Sequence, residues 1–359
     1  MPVQNELGSR IARLIRNGGP LSIAEFMTFA LHDPKAGYYA TRDPLGADFI
    51  TAPEMTQIFG ELLGLWCAQV WQEQGKPSPA CFVELGPGRG TLISDALRAL
   101  ERVPEFLDSL EVVLVEASPV LTAKQRERLR HHPAPIRWVR HASEIRHDRT
   151  LFVIANEFLD ALPVQQFVMT QTGWRERVVN VDGDHLSFAL APAPLSLRVP
   201  AQRGVAIPGA VYEVSPAAGA LVQDLAHAIA STGGAAIFLD YGYDSEEFGD
   251  TFQAIGQHRF EDILRSPGEV DLSCHVDFTA MARMAQAEDV RVYGPIEQGQ
   301  FLQALGIETR LSTLAAKSPV AADAQAVARL TDRRQMGSLF KALAILPTNA
   351  PPPPGFVKA

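Results

Sequence analysis

A glutamate, Glu84, stands two residues before the first of three alternating glycines, Gly86, Gly88 and Gly90. Glycine has no Cβ and tolerates positive φ, so a turn built this way bends sharply and lets a ligand approach the backbone. A helix starting at Thr91 would add its free first-turn N–H groups, which suits something small and polar. The spacing narrows the ligand. A dinucleotide fingerprint reads Gly-x-Gly-x-x-Gly, whereas here the third glycine comes one residue early and Thr91 takes its place. No Gly-Lys-Ser/Thr follows, so this is not a P-loop either. A carboxylate at Glu84 disfavours a pyrophosphate and suits a cation. The plain alternative is a structural strand-to-helix turn with no ligand.

S-adenosylmethionine carries an ammonium and a sulfonium, and acidic-x-Gly-x-Gly-x-Gly resembles the first motif of the class I methyltransferases that use it. Glu116 closes the next apolar run, Glu111–Ala117, near the distance at which doubly wound nucleotide sites place a carboxylate on ribose hydroxyls. Glu84, Gly86, Pro87, Gly88, Gly90, Glu116, Ala117 and Ser118 are therefore the expected cofactor contacts. Ala142 and Ser143 join them in the loop after the third strand, where an adenine would lie, and Asn156 at the end of the fourth.

These residues need a scaffold. Apolar runs at 81–85, 111–115, 136–139, 151–155 and 236–240 read as strands, with helical periodicity between most of them (92, 93, 96, 97 and 100 after the first). Alternating strands and helices predict a doubly wound α/β fold, a Rossmann-like parallel sheet with its ligand at the carboxyl ends of the strands. Strand six at 290–293 and a last strand near 340–346 bring the expected number to seven. Residues 1–78 are expected to form an N-terminal helical and lid region. It holds a capping box at Ser22 and Glu25, a turn-rich stretch His32–Tyr39 and Gly46–Glu54, and a long helix over 55–74. Period-two stretches in 164–210 predict an antiparallel β insertion, and 244–277 a second one. The core is then 79–163 and 211–347, with 348–359 a flexible proline-rich tail.

Composition sets the class. The chain has 359 residues, 47% hydrophobic and 20% charged, with a net charge of -9. That is a globular composition, and the charge argues against a nonspecific nucleic-acid binder. No apolar run approaches the ~20 residues of a membrane span, so no membrane insertion is expected. Cys67, Cys81 and Cys274 are scattered, without metal-ligand or disulfide spacing, and no metal site is expected. A reducing compartment follows, read here as the bacterial cytoplasm. Assembly as a homodimer is left open.

Taken together, Phe49–Glu54, Val83–Thr91, Asn156–Pro163, Asp240–Gly242 and Asp271–Phe278 resemble the MidA-like family, methyltransferases related to a mitochondrial complex I assembly factor. The resemblance implies a seven-stranded sheet with an antiparallel last strand, S-adenosylmethionine as cofactor, and an arginine of a protein, such as a respiratory complex I subunit, as acceptor. A guanidinium has a pKa above ~12 and is a poor nucleophile while protonated. Carboxylates must orient it and take its proton, and Glu157 and Asp160 are the candidates, with Asn156 fixing cofactor or acceptor. Both carboxylates reach the pocket only if 157–160 is a turn. Thr51, Glu54, Asp240, Tyr241, His275 and Asp277 are the expected acceptor-side residues. An S-adenosylmethionine-binding assembly factor with little turnover, or a small-molecule N- or O-methyltransferase, would share these features. An NAD-dependent oxidoreductase is disfavoured by the glycine spacing.

Overall fold

The computed structural model describes residues 5–42, 50–196, 199–200, 203–245, 248–318 and 322–356. They fall into two compact units: Met1–Phe49, Asp160–Gly219 and Ser245–His275 in one, and Ile50–Leu159, Ala220–Asp244 and Val276–Ala359 in the other.

The second unit carries the sheet. Its strands are β1 (Ala80–Leu85), β2 (Leu110–Val115), β3 (Ile136–Val139), β4 (Thr150–Asn156), β5 (Gly234–Tyr243), β6 (Val290–Glu297) and β7 (Phe340–Pro347). They lie in the order β6-β7-β5-β4-β1-β2-β3. From β3 to β5 every pair is parallel, and β7 runs antiparallel to both β5 and β6. A two-residue strand, Val276–Asp277, pairs with the end of β5, so the sheet holds one strand more than the expected seven. Every residue of β1 and β4 is buried, as expected for central strands covered on both faces.

Helices α1 (Gln57–Glu73), α2 (Thr91–Leu100) and α3 (Pro119–Leu129) flank it. A Cβ on Gly64 of α1 would lie 2.8 Å from Ala96 Cα of α2, so the small residue is what lets these two helices approach. Trp66, Trp71, Phe82, Phe106, Phe152 and Leu239 fill the core around them. Among the described residues, four helices separate β6 from β7, between Gln298 and Leu339, rather than the expected two.

In the first unit, helices Glu6–Gly18 and Ile23–His32 pack on an antiparallel sheet made of Leu21–Ser22, Gln165–Thr170, Gly173–Asp182, His185–Leu190 and Val211–Val214. Leu7, Ile11, Phe26, Met27, Val164, Val179, Phe252 and Leu272 form its core. The capping box at Ser22 and Glu25 is present.

Two domain expectations change. Residues 50–78, assigned to the N-terminal region on sequence, belong to the sheet-bearing unit, because the apolar face of α1 is buried there. The proline-rich tail is docked as far as it is described. The Trp66 indole N–H donates to Pro354 O at 3.0 Å, and the Phe356 ring packs on Phe301 with centroids 5.2 Å apart. Prolines bar a helix or a central strand, yet their carbonyls still accept and neighbouring rings still bury. Of the expected lid, residues 46–49 lie outside the described residues.

Candidate active site

The glycine turn joins β1 to α2. Gly86, Gly88 and Gly90 have φ of 63°, 54° and 75°, values that L side chains rarely adopt. Gly86 N–H donates to Val115 O at 3.0 Å and Gly90 N–H to Pro87 O at 2.7 Å, so the turn is pinned to the end of β2 and to itself. Glu84 is 3% exposed, and among the described residues its Oε2 has no hydrogen-bond partner. Burial pushes its pKa up to about 8; the Ile93 backbone N–H from the first turn of α2 opposes the rise, and the nearby Glu116 charge adds to it. A buried carboxylate with an unsatisfied oxygen beside an open glycine turn fits a ligand that brings its own cation.

Glu116 follows β2. Its Oε1 accepts from Ser118 N–H at 2.8 Å and its Oε2 from Gln125 Nε2 at 3.1 Å, while burial pushes its pKa up to about 7. Ser118 is buried and caps α3 by accepting from Leu121 N–H, and Ala117 is exposed. Sequence reasoning misses Gln125. Its fully buried amide donates to Gly88 O at 2.7 Å as well as to Glu116, and its Oε1 accepts from the Trp138 indole N–H at 3.0 Å. One side chain thereby ties the glycine turn, the ribose-side carboxylate and β3 together. The only sequence signal is a glutamine on a helix stripe shared with Leu121 and Leu129, and glutamines on helices are common.

The segment after residue 50 meets the turn directly. Thr91, standing where a dinucleotide site would have glycine, donates its hydroxyl to Glu54, and Arg89 pairs with Glu54 at 3.8 Å. Thr51 opens the short helix Ala52–Met55, whose first N–H, from Ala52, donates to Glu157 Oε1 at 3.3 Å. Asn156 Nδ2 donates to the same oxygen at 3.1 Å. Residues 157–163 are a turn and not a helix, which meets the condition for Glu157 to project from the end of β4. Glu157 has φ of 48°, a left-handed conformation that costs a non-glycine residue roughly 1–2 kcal/mol. Glu84, Glu54, Asn156 and Glu157 thus gather around the carboxyl ends of β1 and β4, which are neighbours in register.

Other expected residues sit differently. Asp240 is 1% exposed; its Oδ2 accepts from Phe158 N–H at 3.1 Å and Leu159 N–H at 2.9 Å, and its Oδ1 from Tyr241 N–H at 2.9 Å. It holds the turn through these backbone N–H groups. Tyr241 is half-buried; it stacks edge-on against Phe340, 5.5 Å between centroids, and packs against the core. Asp277 caps the helix Phe278–Gln286 by accepting from Ala280 N–H at 2.9 Å. Backbone N–H groups at strand and helix ends need acceptors, and short carboxylates supply them. Ala142 and Ser143 lie in a single 3-10 turn after β3, at the expected end of the sheet.

Asp160 and His275 fall in the first unit. Asp160 is 7% exposed, and its carbonyl accepts from Cys274 N–H at 3.0 Å. In the same unit the Tyr39 hydroxyl donates to Asp271 Oδ1 at 2.8 Å, and Tyr39 stacks on His32. His275 N–H donates to Thr251 Oγ1 at 3.0 Å, and burial pushes its imidazole pKa down.

The strand order with an antiparallel β7, the glycine turn, and the two carboxylates at the ends of β1 and β2 define an S-adenosylmethionine-dependent methyltransferase. A family model described as "Putative S-adenosyl-L-methionine-dependent methyltransferase" matches residues 62–296, and the chain belongs to that family. It is 37% identical over 390 residues to the mitochondrial protein arginine methyltransferase NDUFAF7 of Xenopus tropicalis, covering 99% of this chain and 90% of that protein. The human protein of the same name is 38% identical over 380 residues, covering 96% and 85%. A COG1565 superfamily member from Burkholderia thailandensis, solved bound to S-adenosyl-homocysteine, matches with a TM-score of 0.81 at 29% identity, covering 100% of this chain and 96% of that one.

Proposed function

We propose that the protein methylates a guanidinium nitrogen of an arginine in a protein substrate. The observation that carries this reading is the 37–38% identity, over nearly the whole chain, to relatives named as protein arginine methyltransferases. The cofactor supplies a methyl carbon made electrophilic by its sulfonium. Glu84 would hold the ammonium and Glu116 the ribose hydroxyls, and the glycine turn leaves room for the chain between them. In-line displacement asks the protein mainly for alignment, which contributes on the order of 7–11 kcal/mol. Glu157 is the group assigned to the acceptor: its carboxylate, oriented by Asn156 Nδ2 and Ala52 N–H, takes the guanidinium proton as the new bond forms.

The first acceptor to test is a subunit of respiratory complex I, which the family resemblance implies. Cys67, Cys81 and Cys274 are free and buried, which supports a reducing compartment such as the bacterial cytoplasm. Purified protein and labelled cofactor, added to extract from a deletion strain, should label one protein on arginine. A Glu157→Gln variant should lose roughly 100-fold in rate while binding S-adenosyl-homocysteine normally. Label found on a small molecule, or on a residue other than arginine, overturns the acceptor assignment.

A further inference from the structure

Phe158 follows Glu157 in sequence and has no role in the chemistry described so far. It is half-buried, and its Cδ2 is 2.7 Å from where a Cβ on Gly86 would sit, so the first glycine of the turn is also what makes room for this ring. Leu85 of β1 and Ala155 of β4 are register partners. Gly86, the first residue after β1, therefore stands beside Asn156, the last residue of β4, and Phe158 reaches back over an exposed Gly86. Two devices hold it there: the left-handed φ of Glu157, and the Asp240 carboxylate that accepts from the Phe158 and Leu159 N–H groups. Both act on the turn backbone, and both aim a ring that the interior does not fully cover. Two residues before Gly86 is the unsatisfied Oε2 of Glu84. The ring consequently borders the place prepared for a cation.

We infer that Phe158 is the apolar wall of the methyl-transfer cleft, its ring lining the methionine end of the cofactor cradle. Beside a sulfonium, an aromatic face attracts the positive charge as it does other organic cations, and it keeps water from the methyl carbon. This needs the cofactor only and stands apart from the arginine reading.

The test measures binding by calorimetry in the absence of any acceptor, comparing cationic S-adenosylmethionine with the neutral thioether S-adenosyl-homocysteine. Phe158→Ala should weaken both by about tenfold. Phe158→Leu keeps an apolar wall but removes the π face. It should cost S-adenosylmethionine about fivefold more than S-adenosyl-homocysteine. Thermal melts of Gly86→Ala in the wild-type and Phe158→Ala backgrounds give a readout free of ligand. Removing the ring should recover part of the loss in Tm, because the steric component vanishes while the positive φ remains. A folded Phe158→Ala or Phe158→Leu protein that binds both ligands as the wild type does would overturn the inference. So would an unchanged ratio between the ligands in Phe158→Leu, or strict additivity with Gly86→Ala.

Discussion

Burial at Glu84 sets stability against binding. Its pKa is raised from 4.5 to about 8, so the folded chain prefers the protonated form. The sign follows from linkage: stability is fully present below the unfolded value and is lost as pH rises through the folded value. Cofactor-free protein should therefore melt at progressively lower temperature from about pH 5 to about pH 8. Glu84→Gln should flatten that slope and raise Tm at the alkaline end. The same variant should weaken S-adenosyl-homocysteine by tenfold or more, since a charge-assisted hydrogen bond is worth ~1.5–3 kcal/mol. In the wild type, binding selects the ionised carboxylate and releases a proton, so affinity should rise with pH up to about 8. A flat affinity profile would remove Glu84 from the cofactor site. Asp277 provides the contrast. Asp277→Ala should cost about 1 kcal/mol of stability, as the loss of a helix cap does, and leave ligand affinity alone.

Among the elements, α3 does most to shape the ligand end of the sheet without contributing an expected contact of its own. Gln125 spans Gly88, Glu116 and Trp138, so Gln125→Ala strips partners from a half-buried carbonyl, a half-buried carboxylate and an indole at once. Its expected cost is roughly 2–3 kcal/mol, together with a clear loss of S-adenosyl-homocysteine affinity. Urea unfolding and calorimetry check the two parts. The contrast with the glycine turn shows what sequence can reveal. Three glycines, the preceding glutamate and the helix after them form one continuous stretch, and their spacing alone states the geometry. Gln125 is set by where α3 lands on the turn, and Asp240 by where β5 passes residues 157–159; neither relation exists within a window of neighbours. Asp240, Tyr241 and Asp277 read as acceptor-side residues on sequence because a charged or aromatic residue looks the same whether it serves a substrate, a backbone N–H or the core; the structure adds the N–H partners of Asp240 and Asp277, which sequence does not state. The central strands β1, β2 and β4 are legible because buried parallel strands are continuous apolar runs, whereas the two-residue strand Val276–Asp277 and the far ends of β5 and β6 carry no such run.

At the scale of the whole molecule, neither unit is a continuous piece of chain. Its path passes between them at 49–50, 159–160, 219–220, 244–245 and 275–276, and one of these passages falls inside the turn that carries Glu157 and Asp160. Leu7, Ile11, Phe26 and Met27 share a core with Val164, Val179, Phe252 and Leu272. Deleting residues 1–42 should leave the insertion strands with an uncovered apolar face. The expected result is a protein that binds a hydrophobic dye strongly and is cleaved by protease between 164 and 210.

The place of β7 also bears on how the chain is made. It sits between β5 and β6 yet follows both in sequence, so β6 emerges before the strand it must pair with. Throughout synthesis of the intervening helices, the edge of β5 is open and apolar, the kind of surface that recruits wrong partners. That gap closes only when Phe340 and the residues after it arrive to pair with both β5 and β6.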